Sequence, residues 1–304
     1  MKKDKELYEL IRETSFSIYP IIQDITYLFE EYFRERKFFQ STFLAYCIKP
    51  KPLTPELYCK RSPYVNPISV NRLLVETKDA GFLKFIGEDE YMITESGTAG
   101  IEAIHDTFYK RINEMNEFPQ EKLKRLIDIL TKLVKACSKV KFNSGNVCFN
   151  ASYYGHPKIV NGTLAQVDQL LDDINAFRDD AHIAAWTPVG VSGHTWEVLT
   201  FIWNGEANTV DKLVEKLPFR NYDRDDYIKT LEDLTQRGWI QSGEDGYSIT
   251  DQGKAIRDKA EADTNKNFFL PWKELTDDEV NHLRELLQGL KEINLKLVES
   301  NGNK

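Results

Sequence analysis

Three side chains in the segment Phe177-Arg-Asp-Asp-Ala-His-Ile-Ala-Ala-Trp186 have the types and spacing of a binding face. Arg178, His182 and Trp186 recur at i, i+4 and i+8, which puts them on one side of a helix, with Asp179 three residues before His182. Arginine pairs with carboxylates and tryptophan offers a flat apolar wall, so this face suits an anionic or aromatic small molecule. His194 and Trp196 follow after a turn containing Pro188, Gly190 and Gly193, and complete the candidate ligand-binding set. The same spacing also fits internal ion pairs and a histidine satisfied within a helix interface.

Metal and nucleophile chemistry find less support. Glu102 with His105, Asp179 with His182, and Glu279 with His282 each set a carboxylate three residues before an imidazole, the spacing of helical di-metal sites. These pairs fall at unrelated positions, and 48 acidic residues make chance pairs common. No metal is expected; were one held, Asp179, His182 and His194 would be its ligands, with His156 as a further donor. Ser192 lies near His194, but no nucleophile elbow, phosphate-binding loop or dinucleotide fingerprint accompanies it. No catalytic residue and no cofactor is expected. Cys47, Cys59, Cys137 and Cys148 show no metal-ligand spacing and read as reduced thiols.

The elements that must position such residues repeat along the chain. Asn71-Arg-Leu-Leu-Val-Glu-Thr-Lys-Asp-Ala-Gly81 continues to Tyr91, Thr94 and Gly97; Tyr227-Ile-Lys-Thr-Leu-Glu-Asp-Leu-Thr-Gln-Arg-Gly238 continues to Tyr247, Thr250 and Gly253. Gly81 and Gly238 are 157 residues apart, about half of the 304-residue chain. In each copy apolar residues at helical spacing end at a glycine suited to a helix C-terminus. Two short strands follow, Phe82 to Ile86 and Tyr91 to Thr94, or Trp239 to Ser242 and Tyr247 to Thr250, each pair joined by a glycine-containing turn. Thr94 and Thr250 then stand where the next helix needs a cap.

Helix, glycine, hairpin, Thr-x-x-Gly, helix is the order of a winged helix-turn-helix. Leu231-x-x-Leu234-x-x-x-Gly238-Trp239-Ile240, followed by Tyr247-x-Ile249-Thr250-x-x-Gly253, resembles the winged-helix core of the MarR-type regulators over about 30 residues of each half. The second half also resembles a family of tandem helix-turn-helix proteins. That likeness rests on residues 177–186, Trp196-Glu-Val-Leu199, Phe268-Phe-Leu-Pro-Trp272 and Leu275-Thr-Asp-Asp-Glu279. The MarR resemblance implies that the flanking helices make a dimer, with ligand pockets where they meet the winged domain. A tandem arrangement implies that one chain supplies both halves. The expected architecture is mainly α with small β-wings: two tandem winged helix-turn-helix repeats forming an intramolecular pseudo-dimer. The expected units are residues 1–142 and 163–304, joined by a linker over 143–162 that is rich in Asn and Gly. Long amphipathic patterns cover residues 5–36 and 163–186, and further helices are expected near 120–139 and 276–298.

Reading DNA requires donors on an exposed recognition helix and cations near the phosphates. The first copy offers Ser69, Asn71 and Arg72 on a helix starting at Asn66-Pro67, with Lys60 and Arg61 upstream and Lys49 and Lys51 in the preceding turn. The second begins Tyr222-Asp-Arg-Asp-Asp226, where carboxylates would repel phosphate. Both wing tips, Glu88-Asp89-Glu90 and Glu244-Asp245, are acidic and depart from the basic tips of DNA-contacting wings.

Charge follows the same division. The net charge is −8, made of +2 over residues 1–150 and −10 over residues 151–304. Seventeen Phe, fourteen Tyr and five Trp supply a core and exclude a disordered chain. No apolar run approaches the ~20 residues of a membrane span, and the N-terminus lacks a signal-peptide core, so a cytoplasmic monomer acting as a pseudo-dimer is expected. The functional expectation is a MarR-like regulator with double-stranded DNA and a small molecule as partners. The alternative is a scaffold that has lost DNA binding and sequesters or transforms a ligand near Arg178, His182, Trp186 and His194.

Overall fold

The computed structural model describes residues 2–21 and 25–302, with side chains over 6–20 and 25–300. Its axis is helix α9 (Leu164–Trp186). Leu164, Val167, Leu171, Ile174, Phe177 and Ala181 are fully buried along one face, and Ala165 and Ala176 are buried on the other. A helix apolar on several sides must be covered on several sides. Helices α1 (Lys2–Ile18), α6 (Glu95–Glu114), α7 (Gln120–Cys137), α8 (Val147–Gly155) and α13 (Asp251–Phe268) pack around it, and α14 (Asp277–Gly302) closes the layer against α1 and α7. The largest core lies here: Leu123, Leu126, Leu130 and Leu133 of α7 meet Leu283, Leu287 and Leu290 of α14.

Two winged helix-turn-helix units flank this layer. The first runs α3 (Arg36–Ile48), α4 (Pro55–Arg61), α5 (Pro67–Asp79), β1 (Leu83–Gly87), β2 (Glu90–Ile93), then α6. The second runs α10 (Gly193–Trp203), α11 (Val210–Lys216), α12 (Arg224–Gln236), β3 (Ile240–Gly243), β4 (Gly246–Ile249), then α13. Each hairpin is a two-stranded antiparallel sheet, with Leu83 opposite Ile93 and Ile240 opposite Ile249. Each unit has its own buried core, around Leu53, Leu74 and Leu83 in the first and Trp196, Tyr227 and Leu231 in the second.

The equivalences extend to single bonds. Gly81 and Gly238 take the left-handed conformation, φ 91° and 70°, which lets each recognition helix turn into its wing. The Thr94 hydroxyl donates to the Gly81 carbonyl at 2.8 Å, and Thr250 donates to Gly238 at 2.7 Å. The same two threonines cap α6 and α13 by accepting from the amides of Gly97 and Gly253, both at 3.1 Å. At those glycines a β-carbon would stand 2.6 Å from the Phe82 carbonyl oxygen and 2.1 Å from that of Trp239. Backbone contact, not flexibility, accounts for both residues.

Two stretches differ from the expected outline. The amphipathic pattern over 5–36 is not one helix: α1 ends at Ile18, a short 3-10 turn covers Tyr19–Ile21, and α2 (Thr26–Phe33) follows, because Pro20 cannot continue the hydrogen-bond ladder. The segment 143–162 contains α8, tied to α9 by side chains. Asp180 accepts from the amides of Cys148 and Phe149 at 3.0 and 2.8 Å, so a carboxylate meets the open N-terminus of α8. Asp173 accepts from Ser152 and Gln169. Among the described residues no helix is long and apolar enough to cross a membrane.

Candidate nucleic-acid interface and interior cavity

Helix α5 starts where the sequence places it, with Asn66 as its N-cap, accepting from the Ile68 amide at 2.9 Å, and Pro67 in the first turn. Asn71 and Arg72 are exposed, and Arg72 makes no ion pair among the described residues. Ser69 is half-buried, its hydroxyl donated to the Asn66 carbonyl. Lys60 is exposed and bridged to Glu56 at 2.7 Å. Arg61 departs from the expected interface. It turns inward, 3.8 Å from Asp179, and lines a cavity. Ile68 and Val75 share the exposed face of α5 with Asn71 and Arg72, and Phe85 and Ile86 are exposed on the wing.

Helix α12 presents a different face. Asp223 and Asp226 form a reciprocal capping box, and Arg224 pairs with Asp211. Its first turn is carboxylate-rich, as the sequence requires.

The turns that lead into α5 and α12 touch. The Asn66 amide donates to the Arg220 carbonyl and its side-chain amide to the Asn221 carbonyl, both at 3.0 Å. The Tyr222 hydroxyl donates to the Val65 carbonyl at 3.2 Å, and these two residues are one repeat length, 157 positions, apart. Arg220 is held by two-pronged contacts to Glu197, the shortest 2.7 Å, so the second unit's side of this seam is braced from α10.

Beneath the seam lies a half-open cavity of about 970 Å³. Arg61, Val65, Phe219 and Arg220 line it from the two turns, and α9 contributes Asp168, Asp172, Asn175 and Asp179, at one-face spacing. His105, also on its wall, stacks on Phe43 at 5.2 Å, and burial pushes its pKa down to about 4, so it is neutral at pH 7.

The face carrying Arg178, His182 and Trp186 lies elsewhere, and none of the three lines this cavity. Helix α13 covers it. Arg178 donates to Glu261 at 3.2 Å and lies 4.0 Å over the Tyr8 ring. The ring nitrogens of His182 meet the Thr264 hydroxyl at 3.1 Å and the Trp196 indole N–H at 3.4 Å; burial lowers its pKa to about 4. Trp186 and Trp196 stack at 5.8 Å. His194 stands apart, stacked 3.7 Å from Tyr222, its pKa also lowered by burial to about 4. His182, Trp186 and Trp196 are therefore packed together between α9, α10 and α13, while Arg178 on the same face is engaged by Glu261 and Tyr8.

Asp179, His182 and His194 do not converge, and among the described residues no three His, Cys, Asp or Glu side chains form a metal-ligand group. Glu279 is engaged by Lys132 at 2.7 Å, away from imidazole chemistry. The cavity acids Asp168 and Asp172 lie outside the set expected around Arg178. The available signal was five aspartates within residues 168–180 of a helix otherwise built for burial.

Comparison with known protein families agrees with a helix-turn-helix in the second half. Residues 162–297, which hold α9, the second winged unit and most of α14, match the model of a helix-turn-helix family. Among solved structures, the oxidised form of MarR from E. coli is 22% identical, covering 44% of this chain and 95% of that chain with a TM-score of 0.30. Nothing about ligand or DNA follows from so slight an overlap. No curated protein matches the chain. The chain carries a helix-turn-helix architecture of winged type.

Proposed function

We propose that this protein is a MarR-like DNA-binding regulator formed from two copies of one winged-helix unit, residues 1–142 and 163–304. One chain then does the work of a dimer. DNA contact falls to the first unit, and the cavity beneath the seam is the ligand-sensing site. The observation that carries the reading is the exposed Asn71 and Arg72 on α5, a helix whose entry turn is fixed by the second unit. Amide and guanidinium groups are the side chains that read base edges in a major groove. The acidic first turn of α12 suits it to bracing α5 instead of reading DNA. Because the cavity is lined by the two seam turns, an occupant touches the backbone that aims α5.

Fluorescence anisotropy with mixed duplex DNA at low salt tests this. Wild type should bind, with affinity falling as salt rises. Arg72→Ala should weaken binding about tenfold, whereas Arg224→Ala should leave it unchanged. Absence of binding at low salt, or equal effects of the two substitutions, overturns the DNA reading and favours a ligand-binding scaffold.

A further inference from the structure

Helix α9 carries five aspartates, and the structure gives three of them a partner. Asp173 and Asp180 hold α8, and Asp179 faces Arg61. Asp168 and Asp172, one turn apart, have no hydrogen-bond or ion-pair partner among the described residues. Asp168 is 3% exposed, lines the cavity, and leaves Oδ1 without any hydrogen bond. A buried carboxylate without a donor is costly in a folded chain and calls for a compensating group.

The cavity's own cations do not supply it. Arg220 is committed to Glu197, Arg61 lies against Asp179, and Arg36 lies over the Phe29 ring at 5.6 Å. Among the described residues no lysine lines the space, His105 is neutral, and His156, the other lining histidine, is engaged through Nδ1 by the Pro157 carbonyl at 2.7 Å. The cavity walls are rich in aromatic rings, Phe39, Phe43, Phe108 and Tyr109 among them, and Tyr19 and Tyr109 stand near the two carboxylates. Aromatic faces carry negative potential and attract cations within about 6 Å of the ring centre. A volume of about 970 Å³ suits a drug-sized molecule.

We infer that this cavity binds an organic cation, an aromatic or amphiphilic amine whose N–H groups bridge Asp168 and Asp172 while its apolar body lies among the Phe and Tyr rings. This deepens the sensing role proposed above, and it assigns the site the opposite charge preference from the Arg178 face. Burial raises both carboxyls, Asp168 well above the usual carboxylate range and Asp172 to about 7. An entering ammonium supplies the missing donors.

Isothermal titration of the full chain with two planar three-ring probes tests the inference: proflavine, a cation at neutral pH, and 9-anthracenecarboxylate, an anion. Proflavine should bind at one saturable site, at least tenfold more tightly than the anion. The double variant Asp168→Asn, Asp172→Asn should lose at least tenfold in proflavine affinity, because neither amide can carry the negative charge that pairs with the ammonium. Asp172→Asn alone, at the less buried position, provides the same readout if the double variant folds poorly. Equal affinity for the two probes, unchanged proflavine binding by the variants, or no saturable binding overturns the proposal. DNA anisotropy on the same samples separates the two readings. Cation binding without DNA binding ends the regulator and leaves the site, and DNA binding without cation binding does the reverse.

Discussion

The two winged units share their backbone bonds and their acidic wing tips, and differ in the helix that precedes each wing. Thr94 and Thr250 make the same pair of contacts, Gly97 and Gly253 approach the same carbonyl, and Gly81 and Gly238 turn the chain the same way. Yet α5 exposes Asn71 and Arg72 where α12 opens with Asp223, Asp225 and Asp226. A fold is kept by the few residues that meet backbone, so the remaining surface is free to take on another task. Here α5 shows solvent an amide and a guanidinium, while the turn before α12 bonds across the seam to the α5 N-cap.

The largest test of the shared scaffold is at the glycines. Gly97→Ala and Gly253→Ala each force a β-carbon into a carbonyl oxygen, and each should cost about 3 kcal/mol of unfolding free energy in urea titrations. The closer approach makes Gly253→Ala the worse of the two. If one substitution is silent, the units are not held alike.

A smaller effect separates them by pH. Lys37 stands in the first unit one repeat length before His194, so only the second unit has an imidazole there. Its folded pKa of about 4 lies below the unfolded value near 6.5, so the stability it contributes is present above pH 6.5 and lost as pH falls toward 4. His194→Phe retains a ring against Tyr222 but cannot be protonated. Relative to wild type it should gain about 2 kcal/mol in unfolding free energy between pH 7 and pH 5. A difference independent of pH would refute the assignment.

The smallest contrast is at the caps. Asn66→Ala and Asp223→Ala should each cost about 1 kcal/mol by thermal unfolding. Asn66→Ala also removes a bond to Asn221 across the seam, so it should weaken DNA binding while Asp223→Ala should not.

Much of this was legible from local sequence, for physical reasons. Hairpins, helix ends and caps depend on residues a few positions apart, so Gly81, Thr94 and their counterparts announce themselves. Helix α8 was hidden because its N-terminus is satisfied by Asp180, more than thirty positions away. The cavity was hidden for a related reason. Spacing shows that Arg178, His182 and Trp186 share a face, but only packing decides that α13 covers that face and leaves Asp168 and Asp172 open. A polar stripe on a helix is the same in sequence whether it meets a neighbour or a ligand.

The seam between the two turns also bears on operator symmetry. Recognition helices that read a palindrome must reach successive major grooves, about 34 Å apart. Here the N-cap of α5 bonds to a residue two positions before the N-cap of α12. Two helix starts in contact cannot straddle a turn of DNA. If the first unit contacts DNA as proposed, its target is one half-site without dyad symmetry, read with a defined polarity along the duplex.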